Sequence, residues 1–458
     1  LVAGCSSGSD GRGRAGRAAS STSTAAGDPV PGGSARVGVW GEPDPAAPTL
    51  GGAAVRSLVL PQLYVARPDG RWQPSLVVGG SDRTGPLARS ATLRLRSGTW
   101  SDGSPITVED LRRSADDRFV AGIDGPAPDG TLTLRFTQSL PGWRRLWSGV
   151  DSVSAPAPNV WGGPFVVAGY ERGLEVVLRR NDGWYGEDGP FLDELRLVLV
   201  PDPTIARLLL GKGELDAVMP PAGTVRTTQL RAVAGVEVAT APSSQNGWWV
   251  GLVFGPERLS LDRRRAVMAL VDRRPFVETL LADEATVLDG FDPSGGGAGP
   301  GPWSRPGAGD ARALRGATVD LVGEYEEPMT GLVQRSMQKR ARAVAGQLEL
   351  RNAEADRVEP WVAAGAFDAA VVMQLDGPVV CWTCRWSAVD EGLARAADAG
   401  DAAAASALQT KLRDDARLLP LWRTRTVVAW RSGLRGVVAN GYALSAAWNA
   451  WEWSRAGE

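Results

Sequence analysis

Residues Ala91 to Ser114 read A-T-L-R-L-R-S-G-T-W-S-D-G-S-P-I-T-V-E-D-L-R-R-S. Leu93 and Leu95 alternate with Arg94 and Arg96, the period-2 pattern of a strand with one buried face. Ser101, Asp102, Gly103 and Pro105 follow as a turn cluster. Thr107 is placed to cap a helix, and Asp110, three residues on, stands in capping-box position. Strand, tight turn and capped helix are therefore predicted from local chemistry alone.

Further blocks follow along the chain. Gly162-Gly163-Pro164-Phe165 leads to Tyr170, Gly173 and Leu178-Arg179-Arg180-Asn181, and the aromatic pair Trp184-Tyr185 comes next. Then come Phe191 to Val218, with Pro201-Asp202-Pro203 at its centre, and Leu261 to Arg273, L-D-R-R-R-A-V-M-A-L-V-D-R. In this order, and with the first block, they resemble the family 5 extracellular solute-binding proteins, the dipeptide- and oligopeptide-binding components of ABC importers. Val108 and Leu111 stand where that family usually carries Ala and Val, and Trp184-Tyr185 reverses its aromatic pair. The resemblance runs from Gly70 to Leu280 and resumes weakly near the C-terminus.

Composition narrows the function. The chain has 458 residues, long enough for two or three cores. Fifty basic residues stand against 52 acidic ones, so no single-sign field argues for nucleic acid or an anionic membrane surface. The basic residues are nearly all Arg, with Lys only at Lys212, Lys339 and Lys411, a bias of GC-rich coding that does not indicate phosphate recognition. Histidine is absent, which removes Ser–His and Cys–His nucleophiles and imidazole metal ligands. No catalytic motif occurs, so no enzyme, cofactor or metal site is expected.

Leu1-Val2-Ala3-Gly4-Cys5 reads as a lipobox, with Cys5 lipidated as the mature N-terminus. Residues 6–36 are rich in Ser, Gly and Ala and read as a flexible tether, with an r.m.s. span on the order of 30 Å. No uninterrupted apolar run approaches 20 residues, so no transmembrane helix is expected. Cys381 and Cys384 form a lone C-W-T-C. One pair cannot fill a zinc site. A thioredoxin-like role would want a helix starting at the first Cys, which the sequence does not make plain. In an exported chain the pair reads as a local disulfide pinning a loop, with free thiols as the alternative.

Helix–strand alternation predicts an α/β fold. Asp202 caps a helix that has Pro203 at its first position, Ile205, Leu208 and Leu209 on its apolar face, and a stop at Gly211 or Gly213. Asp262 is expected to cap a later helix, and Gly290 to Gly309 reads as an irregular loop. The resemblance implies a two-lobed periplasmic-binding-protein-like fold of the large class, with an extra inserted subdomain and a hinged interlobe cleft. It divides the chain into a tether (1–35), lobe I (36–59, 159–245 and 400–458), an inserted subdomain (60–158) and lobe II (246–399). An Ala-rich helical stretch from Leu393 to Leu418 is expected to return the chain to lobe I.

The resemblance places the ligand in that cleft. Trp248 and Trp249, at the expected crossing, are candidates to wall it, with core packing as the alternative. Asp376 follows a strand where peptide-binding relatives hold an α-ammonium group, and it also suits a turn before Gly377-Pro378. Trp382 and Trp386, beside the cysteines, are further candidates. The chain is thus expected to be a lipid-anchored, monomeric substrate-binding protein on the outer face of the cytoplasmic membrane. It would pass a small solute, peptide above all, to an ABC permease and bind no nucleic acid. The rival reading is a non-transport envelope lipoprotein that keeps the fold as an interaction module.

Overall fold

The computed structural model describes residues 29–456 except 48, 86–87, 141, 150–151, 188, 222–223, 242–247, 256–257, 282–283, 291–302, 304–308, 325–327, 354–357, 359–360, 362–364, 376–381 and 399–400. Two mixed sheets organise it. The first contains β1 (Ser34–Val39), β2 (Phe165–Glu171), β3 (Glu175–Arg180), β4 (Glu194–Leu199), β5 (Ala217–Val218), β6 (Val236–Ala241) and a last strand, β13 (Thr426–Arg431). Its order is β6-β13-β5-β1-β4-β3-β2. The second sheet contains β7 (Trp248–Phe254), β8 (Ala285–Val287), β9 (Thr318–Glu324), β10 (Gln347–Ala353), β11 (Ala369–Leu375) and β12 (Leu418–Thr424), in the order β8-β12-β7-β11-β9-β10.

Local signals hold where hydrogen bonds close within a few residues. The stretch Ser90–Arg94 is a strand, and α2 (Val108–Arg113) begins after Thr107, following α1 (Leu50–Val59). Thr107 N donates to Asp110 Oδ2 at 2.7 Å, the carboxylate half of the capping box. Trp100 Nε1 donates to the same oxygen at 3.3 Å, and Arg113 pairs with Oδ1. Helix α3 (Pro203–Lys212) is capped by Asp202, whose Oδ1 accepts from Thr204 N at 2.7 Å, and it stops at Gly213 with φ +76°.

Its buried face is only partly the predicted one, since Leu209 packs against the buried cluster but Ile205 and Leu208 do not. Ala206 and Leu210 pack into a small cluster with Leu215, Val218 and Val427, while Ile205 and Leu208 are 39% and 54% exposed. The cap of α5 (Leu261–Met268) also moves. Ser260 Oγ accepts from Arg263 N, and Asp262 sits inside the first turn, where its charge faces the helix dipole. Most of the expected 290–309 loop lies outside the described residues, but Trp303 is fully buried and donates from Nε1 to Leu418 O at 2.9 Å.

Residues 64–136 add a hairpin (Tyr64–Ala66 with Trp72–Pro74) and a four-stranded sheet. They have no separate core. Leu76, Leu93, Leu134 and Trp143 belong to one buried cluster with Val37, Leu178 and Leu197 of the first sheet. A second cluster surrounds the second sheet and takes in Val333 and Met337 of α6 (Pro328–Ala343), Ala394 of α7 (Trp382–Asp398), and Leu408 and Leu412 of α8 (Ala402–Asp414). Among the described residues, no helix is long and apolar enough to cross a membrane.

The boundary expected at residue 400 is therefore corrected. Helix α8 packs in the second core, and β12 pairs with β7 and β8 inside the second sheet. The chain returns to the first sheet only at Thr426. Leu418 to Trp422 is a continuous apolar run of a strand buried on both faces, so no periodicity reveals which sheet it joins.

Asp110→Ala leaves the Thr107 amide and the Trp100 indole without their buried acceptor. It should lower stability by about 1–3 kcal/mol, read as a shift in urea midpoint at unchanged m-value. A midpoint equal to that of the native chain would count against a structural role for the box.

Candidate functional site

The strand register locates a crevice. β1 runs parallel to β4 and β5, so the carboxyl end of the first sheet lies at Val39, Leu199 and Val218. β6 ends at the same pole, because Ala241 pairs with Thr426 at the start of β13. In the second sheet β9 is parallel to β10 and β11, and the carboxyl end lies at Glu324, Ala353 and Leu375. Trp248, opening β7, pairs with Leu375, and Arg423 near the end of β12 pairs with Trp249. Both chain crossings, Ala241 to Trp248 and Thr424 to Thr426, thus join the sheets at their carboxyl ends. The crevice outside such ends is where open α/β sheets receive ligands.

The first wall of this crevice is a loop the sequence reading passed over: Trp40-Gly41-Glu42-Pro43-Asp44-Pro45, between β1 and α1. Trp40 Nε1 donates to Met219 O at 2.7 Å, tying the ends of β1 and β5 together. Thr49 Oγ1 donates to Glu42 O at 2.5 Å, and Arg56 Nη1 donates to Pro45 O and Ala47 O, each at 2.9 Å. The loop lies so close to α1 that a Cβ on Gly51 would stand 2.2 Å from Gly41 O. The signal that could have found it is a Pro-punctuated turn directly after the first parallel strand.

Glu42 fixes the outer edge of that wall. Its Oε1 accepts from Tyr170 Oη at 2.6 Å and from Gly173 N at 3.0 Å, in the hairpin of β2 and β3. The Tyr170 hydroxyl and the Gly173 amide together hold the Glu42 carboxyl below its ordinary range. The reciprocal bond pushes Tyr170 up to about 12.

The second wall is the carboxyl end of the second sheet, where β7 begins beside the end of β11. Trp249 is 2% exposed and belongs to the second core, its ring lying over Gly251, so it serves packing. Trp248 opens β7 beside Leu375, and its side chain lies outside the described residues, as do Asp376 and Cys381. Trp382, Cys384 and Trp386 fall within α7, so the expected loop after Cys381 is corrected to a helix beginning at Trp382; their side chains are likewise outside the described set, and so is Cys5. The register therefore brings Trp248 and the strand preceding Asp376 to the crevice. Among the described residues, no group of three or more Cys, Asp or Glu is placed to hold a metal.

A separate cavity of about 180 Å³ lies between Gln73, Ser75, Arg96, Trp184, Glu187 and Trp451. Its 184–187 wall precedes β4, at the amino end of the first sheet, about 20 Å of strand away from the crevice. Its rim charges are already matched, with Arg96 on Glu187 at 2.5 Å and Glu452 on Arg67 at 2.7 Å.

The Glu42–Tyr170 bond makes a titration prediction. Glu42 favours the folded state above the unfolded value of 4.5, and that contribution is lost as pH falls through its depressed folded value. Carboxyl NMR should show Glu42 titrating below 4.5, and Tyr170→Phe should move it upward. An unmoved titration would mean that the bond does not form in solution.

Known proteins place this architecture. The family model for bacterial extracellular solute-binding proteins, family 5, matches residues 88–315. No curated protein sequence matches. Solved structures do. The periplasmic EDTA-binding protein EppA aligns with a TM-score of 0.73 at 19% identity, covering 94% of this chain and 98% of its own. The binding protein AgaA from A. tumefaciens R10, in complex with agropinic acid, gives 0.73 at 17%, covering 93% and 99%. The oligopeptide-binding protein AppA from Bacillus subtilis, in complex with a nonapeptide, gives 0.69 at 14%, covering 94% and 100%. These identities speak to the fold, which is the two-lobed one the sequence blocks implied. With that fold, and with a family match that takes in most of the inserted sheet, five of the seven strands of the first sheet and the start of the second, the chain belongs to the family 5 extracellular solute-binding proteins, which bind solutes for transport and are not enzymes.

Proposed function

We propose that this protein captures a small solute between its two lobes and delivers it to the membrane permease of an ABC importer. The observation that carries the reading is the placement of both crossings at the carboxyl ends of the sheets, so that closing about them narrows the crevice. Lobe I would comprise 36–59, 159–241 and 426–458, with 60–158 as its inserted subdomain, and lobe II would comprise 248–424. Binding energy would come from enclosure and from a few fixed polar groups, without covalent chemistry.

Peptide is the favoured ligand class. Asp376 follows β11 at the crevice end of the second sheet, and an acid there suits an α-ammonium group. The family resemblance also favours peptide, and AppA is solved with a nonapeptide. EppA and AgaA keep EDTA and agropinic acid in view as alternative solute classes. Mass spectrometry of material released on denaturing the purified protein would name the solute. A pool with no co-purifying small molecule, together with no peptide binding by calorimetry, would favour an interaction module instead.

Asp376→Asn keeps the shape of the side chain and removes its charge. Peptide affinity should fall by about 2–5 kcal/mol, and N-acetylated peptides should bind poorly to the native chain. Equal calorimetric affinity for free and acetylated peptides would remove Asp376 from the site.

Anchoring rests on Leu1-Val2-Ala3-Gly4-Cys5 and the polar stretch that follows. In the full-length precursor expressed in its host, Cys5→Ser should move the protein from the membrane fraction to the soluble one. A mutant that stays with the membrane would end the lipoprotein reading.

A further inference from the structure

We infer that Glu284 is the positioning residue of the interlobe hinge, a latch that sets the angle between the lobes before any solute arrives. Glu284 directly precedes β8, the edge strand that pairs with β12 through Ala285 and Thr424, and so belongs to lobe II. Its Oε1 accepts from Thr227 N at 2.7 Å and from Thr227 Oγ1 at 3.1 Å. Thr227 is the first residue of α4 (Thr227–Arg231), whose Leu230 packs with Val427 and Leu210 in lobe I. The main-chain oxygen of Glu284 accepts from Arg425 N at 2.7 Å, and Arg425 is the single residue between β12 and β13. One residue therefore holds the hinge peptide with its backbone and the opposite lobe with its side chain.

Burial gives the contact its force. Glu284 is 7% exposed, and a carboxylate withdrawn from water is costly unless donors replace the lost hydration. Among the described residues, both donors to this carboxylate come from Thr227. A rotation about Arg425 that carries α4 away from β8 takes both donors at once and strands the charge. The hinge thus has a preferred angle, set by a charge-assisted pair that sits beside the axis rather than in the crevice. Solute affinity is tuned through that angle, because closure must compete with it.

The latch rests on the two-lobe binding reading, but it is tested without solute, so the two can fail separately. Thr227→Pro removes both donors and suits the helix, since proline is tolerated at a first helical position and Arg226 before it is already extended at φ −69°, ψ 135°. Glu284→Ala removes the acceptor, and Glu284→Gln keeps the shape without the charge. Solution scattering and hydrogen exchange on the full chain read the outcome. In Glu284→Ala, exchange at the Thr227 amide should rise about tenfold, and the radius of gyration should differ from that of the native protein. Thr227→Pro should give the same scattering change, the double variant no more than either single one, and Glu284→Gln a smaller change. Native-like scattering in both single variants with unchanged circular dichroism would overturn the latch, as would additive effects in the double variant.

Discussion

Strand Leu418–Thr424 hydrogen-bonds into one sheet and Thr426–Arg431 into the other, with Arg425 alone between them. This short connection constrains the rest of the molecule. It forces an inner strand of one sheet to begin where a strand of the other ends, and with the neighbouring crossing from Ala241 to Trp248 it brings both carboxyl poles together. A crevice in that position follows from strand direction. Two adjacent connections also define an axis, with a separate buried core on either side of it.

The two lobes reach rigidity differently. In lobe I the inserted strands share one continuous core with the main sheet, so the insertion widens the lobe without adding a second moving part. In lobe II polar anchors brace the core. The buried Arg273 donates to Leu288 O at 2.6 Å, to Pro420 O at 3.0 Å and to Asp289 at 2.9 Å, and its charge survives burial because every contact supplies an acceptor. Desolvation lowers its pKa while Asp289 opposes that shift. Beside it, Trp422 stacks on Phe276 at 4.7 Å, holding the strand that leads to the hinge.

The crevice walls divide the work of binding along similar lines. The 40–49 loop is fixed by Trp40, Thr49, Arg56 and Glu42 through bonds to main-chain oxygens, a hydroxyl and an amide, which makes a preformed surface. Preformed surfaces spend less binding energy on ordering themselves. Under the proposed function, selectivity is the task of the opposite wall, where Trp248 pairs with Leu375 at the end of the second sheet.

The sequence by itself determined what local hydrogen bonds decide, the strand–turn–helix around Thr107 and Asp110 and the Asp202 cap with a glycine stop at Gly211 or Gly213, which the structure places at Gly213; it also carried the order of blocks that marks the family. Each closes within a few residues, so composition and spacing suffice. Tertiary structure alone decided that α3 buries Ala206 and Leu210 and exposes Leu208, since both faces are apolar and only the neighbouring cluster chooses between them. It also assigned Leu418–Thr424 to the second sheet, because a doubly buried strand carries no alternation to read. And it brought Glu284 to Thr227 across 57 residues, a pairing of two ordinary polar residues that no local pattern announces. Pairings of that range depend on where both lobes come to rest, which spacing along the chain does not encode.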